Sequence, residues 1–326
     1  MPKYDLPFSL RTKKLKYSLA TMVLVLVVLY GVIPNLHAFG LNFRLTFPKH
    51  WFYLLFAVVS FYVTFIASSF SYSFLALYRL KRRQLALIQL ASSSLSLMLP
   101  AGIGNISLNY LFLRNRHHDQ AEAGLVIGIN NLIGVLANLS LLVVLLIVFG
   151  ANTRVVGVYS QSHSYLFLAA LAVLALSLVT AWLFNTHIKK VMAIRSQILS
   201  ALKHYRHRYG RIAKALACAA IQAAATAFAF WLCLSAYGIR LDYPIAFLIY
   251  SLSVIVGAAI PTPGGLGGVE ASLTAGVVAA HGASASLAIT AVLTYRLVSY
   301  WLPVLSGFVF LLAVERLQLI KWNKSL

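Results

Sequence analysis

An all-α polytopic integral membrane protein is the fold class this sequence predicts, and three observations predict it. The chain is 61% hydrophobic and 10% charged over 326 residues. Its charges sit between apolar runs of 18 to 25 residues, the length a helix needs to cross ~30 Å of hydrocarbon. Two apolar stretches are broken near their middles by Pro and Gly, and irregular backbone at that depth is tolerated only where protein buries it or water reaches it. The expectation is a single membrane domain over residues 1–326. It has about six full spans and two broken re-entrant hairpins, six to eight transmembrane helices in all.

The elements follow in order. Residues 1–16 form a basic N-terminus carrying Lys3, Arg11, Lys13, Lys14 and Lys16. The apolar run at 17–36 exceeds a typical signal-peptide core and lacks a small-residue cleavage site, so it reads as a retained anchor. Further full spans fall near 51–77, 124–149, 165–184, 215–236 and 284–313. The broken stretches are 85–112, interrupted at Leu99-Pro100-Ala101-Gly102-Ile103-Gly104-Asn105, and 244–280, interrupted between Pro261 and Gly268. Within 188–214, Ile188, Val191, Met192, Ile198, Leu199, Leu202 and Tyr205 recur at three- and four-residue spacing. Lys189, Lys190, Lys203, Arg206 and Arg208 fall largely elsewhere, as in a basic amphipathic helix lying on anionic lipid.

The net charge of +21 is explained by orientation before nucleic acid is invoked. If each broken stretch returns to its own side, 22 of the Lys and Arg residues fall on one face and four on the other, Arg44, Lys49, Arg154 and Arg240. The positive-inside rule then puts both termini in the cytoplasm. A model with eight crossings gives the same sidedness. The two breaks resemble each other, each a Pro followed by Gly-x-Gly, and enter from opposite faces, as an inverted repeat would produce.

Several chemistries are excluded by what is missing. Cys218 and Cys233 lie on one expected helix about 22 Å apart at ~1.5 Å per residue, so they cannot pair. No His-Glu-x-x-His or Cys ligand set supports a metal at His117-His118-Asp119, which reads as a solvated turn. No Gly-Lys-Ser/Thr follows the Gly-rich break, so it is not a P-loop. Gly124 and Gly128 form a small-xxx-small pair suited to ordinary helix packing. Ser92, Ser93, Ser94, Ser96, Asn105, Asn109, Asn130 and Asn131 suit interhelical hydrogen bonds or a polar cavity.

The second break carries the chemistry. Pro261, Pro263, Gly264, Gly265, Gly267 and Gly268 cannot continue a helix, and Glu270 follows at once. It is the one acid of six expected deep in the apolar layer. Burying an unpaired carboxylate there costs several kcal/mol, so Glu270 must be neutral, wet or paired. Its candidate partner is Arg296, the one Lys or Arg inside an expected span, whose planar fork suits a carboxylate or a phosphate. Either the two form a structural pair, with Glu270 capping the half-helix after Gly268, or at least one contacts a substrate.

These residues also carry a family resemblance. Pro-Gly-Gly-Leu-Gly-Gly-Val-Glu-Ala at 263–271, followed by Tyr295-Arg296 and Trp301-Leu302-Pro303, resembles the flippase-like membrane domain of the lysylphosphatidylglycerol synthase family. The block from Leu99-Pro100 to Leu113-Arg114 is similar to that family's first block, so the likeness covers nearly the whole chain. The resemblance implies transfer of a lipid, an anionic phospholipid or a polyprenyl-linked carrier, across the cell (inner) membrane. The family's first block usually carries an acid where this chain has Asn105, and its next span often carries charge where this chain has Asn130 and Asn131. No acyltransferase-like segment is present in the sequence, so the synthase reaction itself is not expected.

The sequence therefore predicts a non-enzymatic lipid-binding or lipid-translocating protein without cofactor, metal or nucleic acid. The expected binding residues are Glu270, Arg296, Pro263, Gly264, Gly265, Gly267, Gly268, Pro100, Gly102, Gly104 and Asn105. The alternative is a scaffold or subunit for a lipid- or envelope-modifying enzyme, and either form is compatible with oligomers.

Overall fold

The computed structural model describes residues 47–98, 103–150, 209–259 and 262–320. Among the described residues every regular element is helical: α1 (Trp51–Leu75), α2 (Arg82–Met98), α3 (Ile103–Arg114), α4 (Gln120–Gly150), α5 (Tyr209–Ala236), α6 (Tyr243–Ala259), α7 (Gly268–His281), α8 (Ala285–Arg296) and α9 (Leu302–Arg316). A π-helical turn, Leu297–Trp301, joins α8 and α9 into one rod. Its cause lies in the sequence. Pro303 stands at the start of α9, and a proline ring clashes with the carbonyl four residues earlier.

Among the described residues four helices are long and apolar enough to cross a membrane: α1, α4, α5 and the α8–α9 rod. The chain is thus a multi-pass membrane protein. The half-helices α2, α3, α6 and α7 have 17, 12, 17 and 14 residues. At ~1.5 Å per residue each falls short of the ~30 Å core. The expected spans at 51–77, 124–149, 215–236 and 284–313 are therefore present, and each expected hairpin is met by two short helices, α2 with α3 and α6 with α7. The basic N-terminus at 1–16, the expected spans at 17–36 and 165–184, and residues 188–208 of the basic amphipathic segment lie outside the described residues.

Two halves repeat the same order: span, two half-helices, span. The halves run in opposite directions. Lys49 N–H donates to the Ala236 carbonyl at 2.8 Å, Ser60 Oγ donates to the Ala225 carbonyl at 2.8 Å, and Lys214 lies 5.9 Å from the Phe74 ring. Numbers rising along α1 meet numbers falling along α5, so the two are antiparallel along their whole length. Packing repeats as well. In one half α2 lies on α9, with Ser93 Oγ donating to the Pro303 carbonyl at 3.1 Å. In the other α6 lies on α4, with Ser251 Oγ donating to Asn138 Oδ1 at 3.2 Å. This is an inverted-topology repeat. The buried core lies between α1, α5, α6, α7 and α8, with Phe230, Leu234, Leu273, Val277 and Tyr295 at its centre.

The described cations sort by face. Arg79, Lys81, Arg82, Arg83, Arg114, Arg116, Arg211 and Lys214 sit at one end of the bundle, where α1 and α3 end and α2, α4 and α5 begin. Lys49 and Arg240 mark the other. Around the outside, Leu132, Val135, Leu136, Val143, Val309 and Leu312 are exposed, as expected of surfaces solvated by lipid rather than water.

One sequence reading needs correction at a single residue, and another finds no partner among the described residues. His117 and Asp119 are exposed, as a solvated turn requires, but His118 between them is 1% exposed. Its Nε2 accepts from the Leu77 N–H at 3.2 Å, which leaves Nδ1 to donate to the Arg116 carbonyl at 3.2 Å. The ring thereby pins the α1–α2 connection to the start of α4. The polar letters around it hide this, since only Asp119 and Glu122 cap α4, each accepting from the other's N–H at 2.8 and 2.9 Å. Among the described residues nothing packs against Gly124 and Gly128: a side chain at either would meet none of them within 4 Å.

Candidate ligand site at the second helix break

The chain leaves α6 and re-enters helix at Gly268 through a tight turn made of glycines. Gly264, Gly265 and Gly267 take φ of 62°, 66° and 90°, a region where a Cβ is strained. The Gly265 N–H donates to the Thr262 carbonyl at 3.1 Å, and Thr262 Oγ1 donates to the Leu266 carbonyl at 3.0 Å. Space is short as well as conformation. A side chain on Gly265 would meet Val269 Cγ2 at 2.9 Å and Gly257 Cα at 3.1 Å, and one on Gly257 would collide with Val269. The turn thus seats the start of α7 directly on the end of α6.

Glu270 stands in the first turn of α7 and spends both oxygens. Oε2 accepts the Gly267 N–H at 2.7 Å, satisfying an orphan donor at a helix N-terminus where negative charge is favoured. Oε1 accepts Nε of Arg296 at 2.6 Å. From the same guanidinium, Nη2 donates to the Gly264 carbonyl at 2.8 Å. One arginine therefore ties the last residue of α8 both to the half-helix and to the turn before it. The Tyr300 ring lies beneath the guanidinium, 5.0 Å from its carbon, and fills the space a side chain on Gly264 would need. Arg296 is 8% exposed, and the Glu270 side chain is 20% exposed.

The sequence-predicted residues divide. Glu270, Arg296 and Gly264 converge in direct contact, and Pro263, Gly265, Gly267 and Gly268 build the turn around them. Pro100 and Gly102 lie outside the described residues. Gly104 is buried at the start of α3. Asn105 does not meet the ion pair but takes part in a separate chain of side chains. Asn109 donates from Nδ2 to Asn105 and accepts from Gln89 Nε2 at 2.7 Å, and Ser68 Oγ donates to Gln89 Oε1 at 3.1 Å. The hairpins still meet, because α2 runs against the Pro263–Gly265 turn.

The repeat makes the two sites comparable. Glu270 is the third residue of α7 and Asn105 the third of α3; Arg296 is the twelfth residue of its span and Asn131 the twelfth of α4. One half holds a carboxylate and a guanidinium where the other holds two amides. Sequence reasoning missed Tyr300 and Gly257. Their signals were a tyrosine one helical turn after Arg296 and a lone glycine late in an apolar helix.

The arrangement can present a guanidinium fork to an anion that competes with Glu270, with a carboxylate beside it for a cation. Its charges cancel, so it admits a bound ion by exchange rather than by filling a vacant charged pocket. The model of the lysylphosphatidylglycerol synthase TM region family matches residues 15–307. No curated protein matches the chain.

Proposed function

Because the chain belongs to the family of the lysylphosphatidylglycerol synthase TM region, we propose that it binds a lipid-borne anionic headgroup at Arg296 and carries that lipid across the membrane. The observation that supports this most is the near-complete burial of Arg296 at a helix break, held by Glu270 and the Gly264 carbonyl. A charge in hydrocarbon is costly and marks a pathway more often than a packing contact. A pair kept only for packing is readily replaced by apolar residues.

The incoming phosphate takes donors of Arg296 in place of Glu270. Glu270 keeps the Gly267 N–H and is then available to a cationic group of the same headgroup. The glycines let the headgroup approach backbone. Rocking of the two inverted halves against each other would open the break to either side. On this reading the basic face is cytoplasmic, the membrane is the cell's inner membrane, and the lipid is an anionic phospholipid or a polyprenyl-linked carrier. No bond is made or broken, so the protein is not an enzyme.

A second reading, a subunit that holds a lipid-modifying enzyme or another copy of itself, draws on the Gly124 and Gly128 face of α4, against which no described residue packs, with Asn131 exposed beside it. Headgroup transfer in proteoliposomes of purified chain tests the first reading, with Arg296→Gln as control. Transfer by the native chain that disappears in a folded variant is the expected result. Absence of transfer for every lipid tried, from folded protein, would favour the subunit.

A further inference from the structure

We propose that the groove between α7 and α8 holds one hydrocarbon chain of the lipid whose headgroup sits at Arg296, an inference that rests on the transport reading above. The groove encloses about 550 Å³. On α7 its wall is Ala271, Thr274, Ala275, Val278 and Ala279, of which the three alanines repeat every fourth residue and are exposed. Ile289, Val292 and Leu293 of α8 form the facing wall, and among the described residues Glu270 is the only charged one that lines the groove.

The small residues on the two sides of α7 serve different ends. Gly276 is tight against α6, since a side chain there would come 2.6 Å from Ile249. The alanines on the groove side leave space open to the bilayer. Alanine is also among the best helix formers, which keeps this wall helical, with Thr274 and Val278 its larger side chains.

Polarity fixes which way an occupant lies. From Glu270 to Ala279 the groove rises about 14 Å at ~1.5 Å per residue, half of the ~30 Å hydrocarbon thickness. Its charged end is inside the membrane at the helix break. Its apolar end is near His281, on the face opposite the cluster of arginines and lysines from Arg79 to Lys214. A lipid resting in its own leaflet has the reverse order, head at the face and chain end at the middle. An amphiphile matched to this groove is one whose head has already been drawn into the membrane, with its chain in the far leaflet. The occupant is therefore a lipid part-way across.

Photolabelling in proteoliposomes of the full chain tests this. Phosphatidylglycerol carries a diazirine either beside its ester or at its chain end, and a polyprenyl phosphate is labelled likewise near the phosphate or at the far end. The head-side label should mark peptides around Ala271, and the chain-end label those around Ala279. Ala275→Trp should reduce both to the background seen on the lipid-facing side of α4. Ala279→Trp should remove only the chain-end label. Ordered labelling by either probe supports the proposal and tells whether the chain is acyl or isoprenoid. Reversed order would identify an ordinary leaflet lipid and overturn it, as would labelling at the α4 background or labelling indifferent to both tryptophans. Transfer scored in the same vesicles keeps the two readings apart. Transfer with unordered labels removes the groove alone, and ordered labels without transfer remove transport alone.

Discussion

The Tyr300 ring occupies the volume in which Gly264 would carry a side chain, and it supports the Arg296 guanidinium from below. Gly264→Ala should therefore do two kinds of harm, straining a residue at φ 62° and lifting the ring from the arginine. A loss of about 1–3 kcal/mol is expected from backbone strain alone, with reduced lipid transfer. Gly282→Ala is the control. Its φ is 66° but no atom lies within 4 Å of its Cβ, so it should show the strain and keep transfer. Thermal unfolding and the proteoliposome assay together separate the two.

The Glu270–Arg296 pair should behave asymmetrically. Glu270→Gln leaves a buried guanidinium without its counter-ion, and breaking a buried pair this way costs about 3–5 kcal/mol. Arg296→Gln should cost less, because Glu270 is more exposed and keeps the Gly267 N–H. The double variant should be more stable than Glu270→Gln alone. A double-mutant cycle in detergent measures the coupling. Strict additivity would mean the two charges do not stabilise each other.

His118 should make stability depend on pH. The Leu77 N–H points at Nε2, so the folded chain holds the neutral ring, and burial lowers its pKa below the ordinary value. Tyr78, Arg114, Arg116, Asp119 and Glu122 are the polar or charged groups around it. The unfolded chain takes up the proton first. Stability is then complete above about pH 6.5 and falls as the pH drops toward the folded value, by at most ~1.4 kcal/mol per pH unit. His118→Gln, which still offers an acceptor to Leu77, should flatten that slope. An unchanged slope in unfolding measured at several pH values would move the origin elsewhere.

Gly307 sets how closely α9 approaches α2. A side chain there would meet Ser93 Oγ at 2.8 Å and the Leu90 carbonyl at 2.9 Å. Gly307→Ala should cost about 1–3 kcal/mol through overpacking. Gly134→Ala, on an open part of α4, should be neutral or stabilising because alanine favours helix. Equal losses at the two positions in thermal unfolding would contradict the close contact.

What could be read in the sequence was whatever hydrocarbon makes expensive. Charge at bilayer depth is rare, so a lone Glu270 and a lone Arg296 could be matched across 26 residues of chain, and they meet at 2.6 Å. Pro and Gly inside apolar runs gave away both breaks for the same reason. Cheaper features stayed hidden. The burial of His118 depends on a backbone N–H from another connection, and a polar turn looks the same either way. The Gly124 and Gly128 stripe reads as close packing, but composition does not say what packs there, and no described residue does. The reversed direction of the two halves was suggested by the breaks, yet the contacts of α1 with α5 carry the proof of it.

The π turn at Leu297–Trp301 works as a rotation built into one rod. In an unbroken α-helix, Arg296 would share a face with Pro303 and Gly307, seven and eleven residues on. One extra residue in a turn swings everything downstream by about 100°. The upstream part of the rod can then aim its arginine at the half-helix α7 while the downstream part offers its glycine to α2. Straightening that turn would force a choice between the two partners. A single register shift in this helix would thus be felt at both hairpins together, which gives the two halves of the chain a common shaft.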